Sequence, residues 1–143
     1  MDKDKKKKVM VFGVFDGIHD GHLYFFDEAK KMGATLIAVV ARDEAVRHLK
    51  KRQPQTPFRE RMRKVEMCKA ITEAVAGDMD EGSWEVIYAY KPDIIALGYD
   101  QEQLHETLMT NLKKFPWPIT ITSIDSHRPE ELHSSIIAQK QKV

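Results

Sequence analysis

Cysteine is scarce: Cys68 is the one thiol in 143 residues. No intrachain disulfide can form. No apolar run is long enough to cross a bilayer, so no membrane partner is expected. The lysine-rich start, Met1 to Lys8, lacks the apolar core of a secretion signal behind it, and a cytoplasmic location is expected. Net charge is small, at +1. The first eight residues hold five lysines and two aspartates, which leaves the remainder at −2. A domain of that balance lacks the basic face of a general nucleic-acid binder, and no nucleic-acid partner is expected. Residues 1–8 read as a solvated, flexible arm, and 9–143 as one domain with a single core.

Two familiar phosphate-binding patterns are missing as well. There is no G-x-x-x-x-G-K-[ST] and no G-x-G-x-x-G. A different arrangement stands near the start, from Val9 to His22. Its first residues, Val9-Met10-Val11-Phe12, read as a buried strand. Gly13, Gly17 and Gly21 follow, with His19 and His22 among them. A helical periodicity comes next: Leu23, Phe26, Ala29 or Lys30, and Met32. Strand, glycine loop and helix start together offer backbone N–H groups and a positive dipole end to an anion. Two histidines three apart also suggest a zinc pair. The H-E-x-x-H glutamate is absent, however, and Cys68 falls within a helical pattern, so no protein metal motif is assigned.

Further along, Thr35–Val40 and Asp93–Gly98 are strongly apolar strands, as strands buried on both faces are. Glu73–Ala76 is a weaker strand, and Ile119–Ile124 is the last one. Helices are expected from Asp43 to about Lys50, from Pro57 (capped by Thr56) to about Ala70, from Ser83, from Gln103 to Lys114, and from His133 to about Gln139. Gly33 reads as the residue that closes the first helix. Alternation of strands and helices predicts an α/β fold: a Rossmann-like, doubly wound parallel sheet with helices on both faces. Ligands in such folds bind beyond the carboxyl ends of the strands.

The run Gly13-Val14-Phe15-Asp16-Gly17-Ile18-His19-Asp20-Gly21-His22 resembles the cytidylyltransferase-like nucleotidyltransferases, with their G-[TS]-F-D-x-x-H-x-G-H signature. Val14 stands where a hydroxyl residue is usual, which removes one side-chain bond to the nucleotide. Asp20 replaces a common proline and adds negative charge. Two further stretches, Val40-Ala41-Arg42-Asp43-Glu44 and Lys91 to Gln101, resemble the archaeal-type FAD synthases. The resemblance implies transfer of AMP from ATP to FMN, giving FAD and pyrophosphate. It implies His19 and His22 as catalytic, with Lys50 or Lys51 (Lys51 preferred) reaching the triphosphate. It also places Val14, Phe15, Asp20, Gly21, Arg61, Asp100, His127, Ser134 and Ser135 around the nucleotide, and implies Mg²⁺ on the triphosphate and a homodimer. Asp100 has a plainer role as a turn former, and Ser134–Ser135 as a helix cap. Tyr99, Trp84 and Trp117 are candidates for lining a flavin slot. Other acceptors, such as glycerol 3-phosphate or a sugar phosphate, and a non-catalytic nucleotide-binding regulator remain alternatives.

Overall fold

The computed structural model describes residues 7–80 and 82–125. Five parallel strands form one sheet: β1 (Lys8–Gly13), β2 (Thr35–Val40), β3 (Glu73–Ala76), β4 (Ile94–Gly98) and β5 (Thr120–Ile124), in the order β3-β2-β1-β4-β5. β1 lies at the centre because it is apolar on both faces. Val9 and Val11 join one cluster with Phe26, Ala29, Leu36 and Val65, while Met10 joins the other with Ile37, Ile87, Ile95 and Leu108. The first face is covered by α1 (Asp20–Lys30) and α3 (Phe58–Glu66). The second is covered by α4 (Glu85–Tyr90) and α5 (Glu102–Asn111). The expected doubly wound sheet is therefore present, with helices on both faces. Among the described residues, no helix is long and apolar enough to cross a membrane.

Several element ends differ from the sequence reading. Lys7 and Lys8, read as the end of the arm, lie at the amino end of the central strand: Lys7 O accepts from Ala34 N and Thr35 N, and Lys8 N donates to Asp93. Gly33 does not take the left-handed φ of a helix-closing glycine. Its need is space, since a Cβ there would sit 2.5 Å from Lys7 O. α3 starts at Phe58 with Pro57 as cap residue, and Thr56 caps nothing with its side chain. The Asp43 carboxylate, at the start of α2 (Asp43–Lys50), accepts from Phe58 N instead. Ser83 does not cap α4 either; Asp78 accepts from Val86 N, and Ser83 Oγ has no partner among the described residues. The helix expected to run from Gln103 to Lys114 spans Glu102–Asn111 and then tightens into a 3₁₀ turn, Leu112–Lys114. The closing helix at His133 lies outside the described residues.

One feature of the register creates the site. β1 and β2 pair over their full length, from Lys8↔Thr35 to Gly13↔Val40. β1 and β4 pair only at Val9↔Ile94 and Met10↔Ile95. Beyond Met10 the two strands part, and a crevice opens at their carboxyl ends, where strand order reverses.

Candidate active site

The parting of β1 and β4 opens a cleft of about 1170 Å³, walled by the glycine loop, the start of α1 and the loop after β4. The amide of Gln101 splints its base. Its Oε1 accepts from Gly98 N at 2.8 Å, and its Nε2 donates to Phe12 O at 3.0 Å. These two bonds stand in for the missing ladder bonds between the parted strands, which would otherwise leave buried backbone groups without partners.

The spacing within the glycine loop has a mechanical explanation. Phe15 is folded back at φ 52 and buried. Its ring covers Gly13, where a Cβ would meet Phe15 Cζ at 2.5 Å. The same ring packs edge-on against Phe26, at 5.2 Å, and His22, at 5.6 Å. A left-handed φ at an aromatic residue costs on the order of 1–3 kcal/mol, which this packing offsets. Asp16 then turns away from α1. Its two carboxylate oxygens accept from Gln55 N (2.7 Å) and Thr56 N (2.9 Å). Burial would raise the Asp16 pKa, but these N–H groups and Arg61 hold it below the usual carboxylate value.

His19 and His22 form a reciprocal cap at the start of α1. His19 Nδ1 accepts from Gly21 N at 3.0 Å, and His22 Nδ1 accepts from His19 N at 3.2 Å. The rings stack at 4.0 Å between centroids. Gly21 is required because a Cβ there would lie 2.8 Å from His19 Cε1. Both Nδ1 atoms accept, so each neutral ring carries its proton on Nε2. The N–H groups of Gly21 and His22 are already bonded to His19. An anion would therefore meet ring Nε2–H donors more than bare helix N–H groups, which corrects the sequence expectation.

His22 is held neutral. Burial, then the neighbouring His19, lower its pKa to about 4, against a smaller opposing pull from Asp100. The unfolded chain binds a proton at this residue below about pH 6.5, and the folded one only near pH 4. Folding stability from His22 is thus fully present above about pH 6.5 and falls as pH drops towards 4. Imidazole ¹⁵N NMR should find His22 as the Nε2–H tautomer throughout that window. A His22 titration near 6.5 contradicts this geometry.

Most of the sequence-derived site residues meet here. Val14, Phe15, His19, Asp20, Gly21, His22 and Asp100 all line the cleft, and so does Tyr99. Arg61 does not. It is fully buried, and its guanidinium donates to Thr56 O, Val14 O, Ala41 O and the Asp43 carboxylate. It ties three loops together behind the site. Lys51 is exposed, ends α2 in a left-handed turn, and is not on the cleft wall; Arg52, passed over in the sequence, is. The side chain of Lys50 lies outside the described residues, as do His127, Ser134 and Ser135. Trp84 and Trp117 pack into the cluster on the second sheet face, Trp117 donating to Pro92 O, so neither lines the cleft. Cys68 lies in the cluster on the first face, with its pKa raised by burial and by Asp27. Among the described residues no three His, Cys, Asp or Glu side chains group as metal ligands.

A cleft at the strand switch point, with two histidines paired at a helix start, suits a phosphate group. Comparison with known proteins agrees. The cytidylyltransferase-like family profile matches residues 10–140. The FAD synthase of Ferroglobus placidus is 43% identical over 129 residues, covering 90% of this chain and 83% of that protein. The FAD synthase of Pyrococcus horikoshii is 42% identical over 113 residues, covering 79% and 76%. Among solved structures, the lipopolysaccharide core biosynthesis protein of Thermoplasma volcanium superposes with a TM-score of 0.78 at 32% identity, over 85% of this chain and 98% of that one. The chain belongs to the cytidylyltransferase-like family of nucleotidyltransferases, alongside the archaeal FAD synthases.

Proposed function

We propose that this chain transfers the adenylyl group of ATP to FMN, releasing pyrophosphate and forming FAD. The observation that carries the reading is the paired-histidine loop at the switch point, in a chain 43% identical to an archaeal FAD synthase. An FMN phosphate oxygen attacks the α-phosphorus of ATP. The bond from that phosphorus to the β-bridging oxygen breaks, and pyrophosphate leaves. A phosphate monoester has its second pKa near ~6, so the nucleophile is already ionised at neutral pH. No general base is needed, and positioning with charge neutralisation carries the catalysis.

His19 and His22 donate from Nε2 to oxygens of the α-phosphate as charge gathers there. Because both rings are stacked and capped, the donors are in place before the nucleotide arrives. Asp100, at the loop after β4, takes the ribose or the base edge. His127 meets the nucleotide, and Ser134 and Ser135 supply donors towards the β- and γ-phosphates. Magnesium enters on ATP as part of the substrate. The enzyme acts in the cytoplasm as a homodimer.

Purified protein with ATP, FMN and Mg²⁺ should yield FAD and pyrophosphate in equal amounts by chromatography and phosphate assay. Light scattering on the same sample should give twice the chain mass. Turnover of CTP with glycerol 3-phosphate, and none of FMN, overturns the substrate assignment. Nucleotide binding without turnover of any acceptor favours the regulator reading.

A further inference from the structure

The two walls of the cleft are each tied to an outer neighbour. The β1–β2 ladder runs on to Gly13↔Val40, and Ala41 N donates to Gly13 O at 2.9 Å, so the root of the histidine loop is held to β2. The β4–β5 ladder runs to Gly98↔Ile124, which holds the root of the loop that carries Asp100. Between the walls the ladder stops at Met10↔Ile95. Nothing in those outer ladders fixes how far apart the walls stand.

Above Met10, Gln101 carries a bond across the gap: its Nε2 donates to Phe12 O at 3.0 Å. The residue has little slack. Its N–H donates to Gly98 O at 3.1 Å, its carbonyl accepts from His105 N at 3.0 Å as the cap of α5, and its Oε1 accepts from Gly98 N at 2.8 Å. Gly98 is packed as closely: a Cβ there would lie 3.1 Å from Asp100 Oδ1 and 3.6 Å from Gln101 Oε1. On the other wall, Phe12 is followed by Gly13. The Phe15 ring covers Gly13 and meets the His22 ring at 5.6 Å between centroids. The cross-gap bond therefore joins the base of the histidine loop to the base of the Asp100 loop.

Resting on the adenylyl-transfer reading, we infer that Gln101 is a positioning residue for the transfer, its side-chain amide setting the span between the histidine loop and the loop that carries Asp100. Both heteroatoms of the amide are engaged by backbone, so Gln101 acts through the two loops. In-line attack needs the α-phosphate and the rest of the nucleotide held at one fixed separation. A misplacement of about 1 Å costs on the order of 10²-fold in rate. Binding is less demanding, because each wall keeps its own contacts with ATP when the span changes.

Two variants of similar length test this. Gln101→Glu keeps the acceptor for Gly98 N but sets an oxygen against Phe12 O. Gln101→Met removes both bonds and adds no charge. Each should lower kcat about 10- to 100-fold, with KM for ATP changed by less than about 3-fold. Trp117→Phe is the control for stability, since it loses a bond to Pro92 O away from the cleft. It should lower Tm and leave kcat unchanged. Normal kcat in folded Gln101→Met, with lowered Tm, overturns the positioning role. Slow Gln101→Glu beside normal Gln101→Met assigns the loss to charge, and slow Gln101→Met beside normal Gln101→Glu assigns it to the turn at Gly98; either overturns the span. If Gln101→Met does not fold, Gln101→Asn, too short to bridge Gly98 N and Phe12 O, takes its place. Hydrogen exchange needs no turnover: Gly98 N–H should be protected in the wild type and in Gln101→Glu, and should exchange faster in Gln101→Met. Fast exchange there in the wild type overturns the inference and leaves the FMN reading intact. A wild type that makes no FAD but turns over another acceptor sinks the FMN reading, and the same kcat comparison with that acceptor decides Gln101.

Discussion

Replacing His22 with alanine should lower kcat on the order of 10²- to 10³-fold, about 2.7–4 kcal/mol, with a much smaller change in ATP affinity. In the ground state ATP is held by many contacts, and one lost donor is tolerated. On the proposed reading, charge collects in the transition state on oxygens of the α-phosphorus, and the Nε2–H of His22 meets them there. An interaction that strengthens on the way to the transition state shows in kcat. Alanine has a second effect, because His22 Nδ1 also accepts from His19 N. Losing that bond frees the start of α1 and costs about 1 kcal/mol of stability. His22→Asn separates the two. Its Oδ1 can take the place of Nδ1 in the cap, while nothing replaces Nε2–H. Asparagine should restore Tm but not kcat. Recovery of kcat along with Tm would assign His22 to the cap alone. Loss of ATP affinity with kcat preserved would assign it to uniform binding.

The parts of the fold that were legible in the sequence are those set by local pattern. Thr35–Val40 is a strand with the same bounds in both readings, because an unbroken apolar run in a parallel sheet can be little else. The histidine loop was legible for a related reason: two of its glycines answer to a neighbour two residues away. Gly13 makes room for Phe15, and Gly21 for His19. What escaped the sequence depends on contacts between distant segments. Gln101 looks like any polar residue after a strand. Its role arises only because the β1–β4 ladder stops at Met10, leaving Phe12 O and Gly98 N to be bridged. Arg52 and Lys51 are neighbours of like charge, and nothing in the sequence tells which one faces the cleft. The left-handed turn at Lys51 decides it. The two tryptophans were candidates for a flavin slot by chemistry alone, and the sheet puts them on its other face.

Arg61→Met should destabilise the fold by about 3 kcal/mol, the largest single effect on stability expected outside the sheet core. Methionine fills much of the space and can stay apolar, so the cost is not a cavity. It comes from what is left behind. Val14 O, Ala41 O and Thr56 O each lose a donor, and Asp43 loses its ion-pair partner while still accepting from Phe58 N. The Asp43 side chain is 33% exposed, so water recovers part of its share and keeps the total below that of a fully enclosed pair. The carbonyls beside a side chain of 0% exposure recover less. Since these carbonyls belong to the loops after β1 and β2 and to the loop before α3, the variant should also loosen the wall that carries Arg52. Denaturant unfolding measures the first effect through the midpoint. Pyrophosphate affinity of the folded protein, measured well below Tm, measures the second and should fall. Arg61→Lys should rescue little of either, because one ammonium cannot reach four acceptors spread around a planar fork. Unchanged stability in Arg61→Met would mean that the three carbonyls find other donors. A folded Arg61→Met that is normal in stability yet fails to bind ATP would return Arg61 to direct contact with the nucleotide.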